Sequence, residues 1–115
     1  MVGPLQGEVW WADLDEPAGS GPGVRRPVVI VQGNHLNRSR LATVVCVPLT
    51  NNLAWARAPG NVMLSAKVSG LPEDSVANVS QIVAVGKRFL TERTAKLGEK
   101  DFAQVITGID IILGR

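Results

Sequence analysis

Arg25-Arg26-Pro27-Val28-Val29-Ile30-Val31-Gln32 reads as two cations delivered to the mouth of a buried strand. A short, continuous β-branched run belongs to a strand covered on both faces. Pro27 has a fixed φ and no N–H, so it suits the first residue of such a strand. It also biases Arg26 toward an extended backbone. Ahead of the arginines stands Gly19-Ser20-Gly21-Pro22-Gly23, a loop by its composition. Arg26 is therefore expected at a strand entrance, directed by a rigid neighbour. Its guanidinium is always charged and matches phosphate oxygens in a two-pronged fork. A solvated arginine beside an edge proline is the plain alternative, and both readings stand at this point.

On either side of this run the pattern stays that of short strands. Gly7 to Leu14 alternates with apolar groups on both faces, so the first strand is expected to be largely covered. Asp15 to Val24 is a loop. The second strand runs from Pro27 to Gln32. Gly33 to Leu41 is polar and reads as a loop or a single helical turn. Ala42 to Leu49 is the third strand, ended or bulged by Pro48, which cannot donate to a ladder. Leu53 to Gly60 is a loop, Asn61 to Ala66 a short strand, and Ser69 to Pro72 a turn. Asp74 to Gly86 reads as one strand, Lys87 to Leu90 as a turn, and Thr91 to Leu97 as a charged edge strand.

The last segment changes period. Phe102, Val105, Ile106, Ile109, Ile112 and Leu113 follow helical spacing. Glu99 and Asp101 suit the first turn, and Gly114 suits the end. Gly108 inside this helix costs about 1 kcal/mol relative to alanine, and its small size points to close packing. The class is mainly β with a C-terminal helix, built as a small, strongly curved antiparallel sheet or barrel. At 115 residues the chain is expected to form a single domain over 1–115.

Composition removes several chemistries. Cys46 is the one cysteine and lies in an apolar run, so it is read as a buried, inert thiol in a reducing compartment. The N-terminus has no basic region followed by an apolar core, and no stretch has transmembrane length. A cytoplasmic protein without a membrane partner is expected. His35 is the one histidine and reads as a solvated imidazole, so a two-histidine nuclease mechanism cannot be assembled within one chain. Cys and His pairs that would hold a metal are missing. Asp13 and Asp15 are two carboxylates whose plainer account is an acidic strand end. The Gly-rich loop lacks Walker spacing and its lysine, and no Gly-x-Ser-x-Gly elbow occurs. No metal and no cofactor are expected.

Arginine, hydroxyl and amide chemistry remain. The net charge is +2, and Arg25, Arg26, Arg38 and Arg40 fall close together. Arg26 and Thr50 would converge if their strands are neighbours, and together they would hold a phosphodiester. RNA carries its own nucleophile, the 2′-hydroxyl, so a protein need only position it and stabilise developing charge. Trp55 and Arg57 in the following loop suit stacking on unpaired bases. A Trp55 folded onto the domain surface is the bland alternative.

These residues also carry a family pattern. Gly7-Glu8-Val9-Trp10, Gly19-Ser20, Arg26-Pro27 with its apolar run to Gln32, Asn37, Val47-Pro48-Leu49-Thr50, Asp74-Ser75-Val76 and Gln81-Ile82 follow in order. The whole resembles the MazF/PemK family of type II toxin endoribonucleases, from Gly7 to Leu113. The resemblance implies an SH3-like barrel with a C-terminal helix, working as a homodimer. It implies metal-free, sequence-specific cleavage of single-stranded RNA, chiefly mRNA, to 2′,3′-cyclic phosphate and 5′-hydroxyl ends. It implies a cognate antitoxin whose tail occupies the RNA groove, with DNA contacted only through that complex. By position, Arg26 and Thr50 match the catalytic arginine and threonine. Ser20 lies in a gating loop, and Gln81 matches an RNA-contacting position. Arg25, Asn51, Trp55 and Arg57 join the RNA-binding set. Gly21 stands where many members have glutamate, and Ser80 where many have glutamate before the Gln-Ile pair. Two other classes stay open: a non-catalytic toxin of the same fold that poisons gyrase by binding, and a plain RNA-binding barrel. The apolar helix, Trp10 and Trp11 are the candidate dimer surface.

Overall fold

Strand β1 (Glu8–Leu14) is the spine of the molecule, with β2 (Val24–Ile30) on one side and β7 (Leu90–Lys96) on the other, both antiparallel. The computed structural model describes residues 3–14 and 24–115. The expected loop, with Asp15, Ser20 and Gly21, lies outside the described residues. Beyond β2 come β3 (Thr43–Thr50), β5 (Ser75–Ala77) and β4 (Val62–Leu64), and β6 (Val83–Gly86) pairs with the first half of β3. The result is a single, strongly curled antiparallel sheet carrying the C-terminal helix α3 (Glu99–Leu113). β7 sits at one end of the strand order, as its charges predict.

The two ends of the curl, β4 and β7, do not pair. They are joined by α2 (Ala66–Ser69), the turn that follows β4. Thr94 Oγ1 on β7 donates to the Ser69 carbonyl at 2.7 Å. Gly70 ends that turn at φ +73°, with the Thr94 carbonyl directly against the place a Cβ would occupy. A side chain there would push the two ends of the curl apart.

Alternation along the central strands feeds two apolar clusters. Val9, Val29, Val47, Leu49, Leu64, Leu71, Ala77 and Val79 join Leu97, Val105 and Ile109 beneath α3. Ala12, Val28, Ile30, Val44, Cys46 and Val85 form the other cluster, covered by Trp10, Leu14 and Leu90. Both faces of β2 are thus buried from Val28 to Ile30, as its unbroken apolar run predicts. Trp10 and Trp11 have partners within the chain, one on each cluster, and the Trp10 indole N–H also donates to Glu8 at 3.0 Å.

Three strand expectations need correction. β2 begins at Val24, so Arg26 sits within the strand opposite Ala12 rather than at its entrance. Pro27 is tolerated there because β3 joins β2 only from Val28 onward. β3 runs through Pro48 to Thr50. The Pro48 carbonyl accepts from the Asn78 N–H at 2.9 Å. In an extended strand a residue's N–H and C=O point to the same side, so the donor that Pro48 lacks would face a short 3-10 turn (Val79–Gln81) rather than a ladder. The segment Asp74 to Gly86 is two strands, β5 and β6, split by that turn, which brings the strands among the described residues to seven.

The single turn α1 (Asn34–Asn37) and the Gln32 and Asn37 of the family pattern serve the framework. Asn37 Nδ2 donates to the Gln32 carbonyl at 2.8 Å, and Gln32 Nε2 donates to Asn37 Oδ1 at 2.9 Å. His35 is exposed, as expected.

Cys46 is fully buried. Desolvation pushes its thiol from 9.0 up to about 12. The native protein is therefore expected to stay silent to a thiol reagent at pH 8 and to react fully once unfolded in urea. Native-state labelling would refute this. The sign of the pH effect follows from the same shift. Above pH 9 the unfolded chain releases a proton that the folded chain retains. Stability should then fall by roughly 1.4 kcal/mol per pH unit until the folded thiol also ionises.

Candidate nucleic-acid interface

The register of β2 and β3 builds the site. Val28 faces Pro48, Val29 faces Val47 and Ile30 faces Cys46. Continued by two residues, the same register would set Arg26 opposite Thr50. Pairing stops instead at Val28 and Pro48, while β3 runs on to Thr50, held on its other edge by β5, with Leu49 opposite Ala77 and Thr50 opposite Val76. The two strands part, and Arg26 and Thr50 become the lips of the gap between them.

A cavity lies on each side of these lips, and both residues border both cavities. One, of about 390 Å³, is lined by Trp11, Arg25, Pro27, Leu49, Asn51 and Leu71, among others. The other, of about 420 Å³, is lined by Leu14, Pro48, Trp55, Asn78, Gln81 and Val83. Side chains alternate along a strand, so Arg25, Pro27 and Leu49 face the first, while Arg26, Pro48 and Thr50 face the second.

The two arginines differ in engagement. Arg25 Nη2 lies 3.3 Å from Glu92 Oε1, and its guanidinium sits 4.4 Å from the centre of the Trp11 ring. Arg26 is exposed and has no ion-pair partner among the described residues. It is the cation left available to a phosphate. Thr50 Oγ1 accepts from the Asn52 N–H at 3.2 Å, which leaves its own proton to donate.

Trp55 is placed by a hydrogen-bonded frame. Its short 3-10 turn (Leu53–Arg57) starts at Asn52, whose side chain accepts from the Ala54 N–H. Asn61 Nδ2 donates to the Trp55 carbonyl at 2.9 Å, and Asn61 Oδ1 accepts from the Val79 N–H at 3.0 Å. Trp55 remains 47% exposed, which leaves surface for stacking.

Of the sequence-derived residues, Arg25, Arg26, Thr50, Asn51, Trp55 and Gln81 converge on the two cavities. Arg57 is exposed at the end of the 3-10 turn and lines neither. Ser20 lies outside the described residues. Sequence reasoning missed Trp11, Glu73, Ser75 and Asn78 as lining residues. Asp74-Ser75-Val76 was visible as a motif, but no local signal says which flank of it meets a cavity. Among the described residues no three of His, Cys, Asp and Glu cluster as a metal site.

A curled antiparallel sheet with a terminal helix, split at one end by an arginine and a threonine, defines a small barrel protein whose cleft suits an extended phosphodiester. The sequence matches, over residues 5–113, the family described as PemK-like, MazF-like toxin of type II toxin-antitoxin system. The chain belongs to that family. It is 44% identical over 106 residues to endoribonuclease MazF2 of Mycobacterium bovis, covering 92% of this chain and 93% of the relative. It is 35% identical over 109 residues to endoribonuclease MazF of Staphylococcus epidermidis, covering 95% and 90%. Among solved structures, an endoribonuclease in complex with its cognate antitoxin from a mycobacterial species superposes with a TM-score of 0.76 at 28% identity, covering 96% of this chain and 95% of that one.

Proposed function

We propose that this chain is the toxin of a type II toxin–antitoxin pair, an endoribonuclease that cuts single-stranded mRNA without a metal. The observation that carries this reading is that Arg26, without an ion-pair partner among the described residues, and Thr50 border the same two cavities. A phosphodiester lying across the lips would place its non-bridging oxygens toward the guanidinium and the hydroxyl. The 2′-oxygen attacks phosphorus, the bond from phosphorus to the 5′-oxygen breaks, and the 2′-proton is lost as the leaving oxygen gains one. The products are a 2′,3′-cyclic phosphate and a 5′-hydroxyl. Arg26 binds the charge that grows on phosphorus and assists proton transfer, and Thr50 donates to a non-bridging oxygen. Both act most strongly in the transition state, where catalysis requires it. Trp55 and Gln81 hold bases on one side, and Arg25 and Asn51 border the other. Arg57 and Ser20 complete the RNA-binding set.

The relatives are named as endoribonucleases, which supports cleavage over a gyrase-binding or merely RNA-binding role. The solved complex of a similar chain with its cognate antitoxin supports an antitoxin partner for this one, with DNA reached through that complex. The chain acts as one domain and as a homodimer in the cytoplasm. Ile111, Ile112 and Leu113 are 55%, 38% and 57% exposed at the end of α3 and supply apolar surface for the second copy. Among the described residues no helix is long and apolar enough to cross a membrane.

The test is incubation of the purified protein with a long RNA in EDTA. Cleavage should proceed and leave cyclic phosphate ends. Cleavage lost in EDTA and restored by Mg²⁺ would sink the metal-free reading.

A further inference from the structure

The cavity on the Trp11 side holds groups that the cleavage step does not use. Its floor is apolar, made by Trp11, Leu49 and Leu71. Ser75 also lines it, and its Oγ is buried with no hydrogen-bond partner among the described residues. Glu73 is exposed and borders the same cavity. An indole wall over an aliphatic floor suits a flat base, which stacks on such surfaces. The volume of about 390 Å³ is within the range of small-ligand pockets.

Glu73 stands out by its charge. A carboxylate beside a polyanion weakens binding unless the ligand donates hydrogen bonds to it. Among nearby carboxylates, Glu92 pairs with Arg25, Glu8 with Arg93, and Asp74 Oδ1 accepts from the Ala66 N–H. Glu73 has no ion-pair partner among the described residues. Its two oxygens accept and donate nothing. Guanine alone sets two donors side by side on its Watson–Crick edge, the ring N1–H and the amino group. Adenine and cytosine set one amino group beside an acceptor, and uracil sets one N–H between two carbonyls.

We propose that the cavity bordered by Trp11, Leu71, Glu73 and Ser75 is a nucleobase subsite that selects guanine next to the scissile phosphate, with Glu73 accepting from its paired donors. This rests on the cleavage reading, since Arg26 and Thr50 border the same cavity and place its occupant beside the reacting phosphate.

The test maps RNA ends. Wild-type protein and Glu73→Gln each cut a long, mixed-sequence RNA. Wild-type ends should be enriched in guanine at one position adjoining the cut, and Glu73→Gln should reduce that preference by roughly tenfold or more. A short RNA with that guanine replaced by inosine, which lacks the amino group, should be cut by wild type about tenfold less efficiently in kcat/KM. Glu73→Gln should barely distinguish the two. Glu73→Ala, checked by thermal melting, provides a second folded variant. Wild-type ends with no guanine preference, a preference for another base, or a preference unchanged in both variants would overturn the subsite and leave cleavage standing. A wild-type protein that cuts no RNA would overturn both.

Discussion

Arg26→Ala is expected to slow RNA cleavage by on the order of 10²–10³-fold, with the melting midpoint unchanged. Arg26 is exposed and spends no charge on another side chain among the described residues. Its removal therefore costs the fold little. Its proposed work is done on the phosphorane, so the loss should fall on kcat more than on KM. Arg26→Lys should recover only part of the rate, because an ammonium keeps the charge but loses the planar fork. Arg25→Ala provides the contrast. Arg25 already lies over Trp11 and against Glu92, so its loss should cost under about tenfold, in line with an exposed contact. Single-turnover cleavage of a short RNA measures both variants. Near-wild-type activity in Arg26→Ala, or a larger loss in Arg25→Ala, would show that the wrong arginine has been given the reaction.

Gly108→Ala is expected to destabilise the protein by about 1–3 kcal/mol, enough to lower the melting temperature by several degrees. Helix propensity alone argues the other way, since alanine is better than glycine inside a helix by about 1 kcal/mol. Packing decides the sign. The place where a Cβ would sit on Gly108 runs directly into the carbonyl oxygen of Gly60 and lies 3.2 Å from a Val79 methyl. The neighbour is backbone and cannot swing aside. Gly60 is itself held at φ +80°, and a Cβ added there would lie 2.7 Å from the Gly108 carbonyl. The two glycines let α3 touch the turn before β4, under which Val79, Val105 and Ile109 are buried. A shift of the helix would also move Val79 and the Val79–Gln81 turn, which carries Gln81 to the site. Thermal melts of the two proteins test this. A rise in melting temperature would mean that the helix can step away without cost.

Much of the fold was legible along the chain because its cause is local. The apolar run of β2, the charges of β7, and the helical spacing and terminal glycine of α3 report burial and period residue by residue. The strand breaks were less legible. Asn78 and Ser80 are the local turn formers between β5 and β6, but no Gly or Pro marks the break, and the Asn78 N–H meets the Pro48 carbonyl only in the folded sheet. Pro48 read as an end or a bulge because whether a strand tolerates proline depends on what its missing donor would have faced. Arg26 and Thr50 were legible as chemistry, and Cys46 as a buried thiol. Glu73 and Trp11 were not, since each acquires its place only when β1 and the segment before β5 meet around one cavity.

By itself the sequence determined that this is a small, mainly β chain ended by a helix, that one chain holds no histidine pair and no cysteine pair, and that arginine and hydroxyl groups are its candidates for an anionic substrate. Those properties are set by composition and by period along the strand or helix. Tertiary structure alone decided that, among the described residues, Arg25 has an ion-pair partner and Arg26 has none. It also decided that Arg26 and Thr50 stand as the two lips of one gap. The physical reason is where one ladder ends: β2 and β3 pair only as far as Val28 and Pro48, while β5 on the other edge of β3 carries that strand on to Thr50, so the register that would have joined the two residues is left open between them.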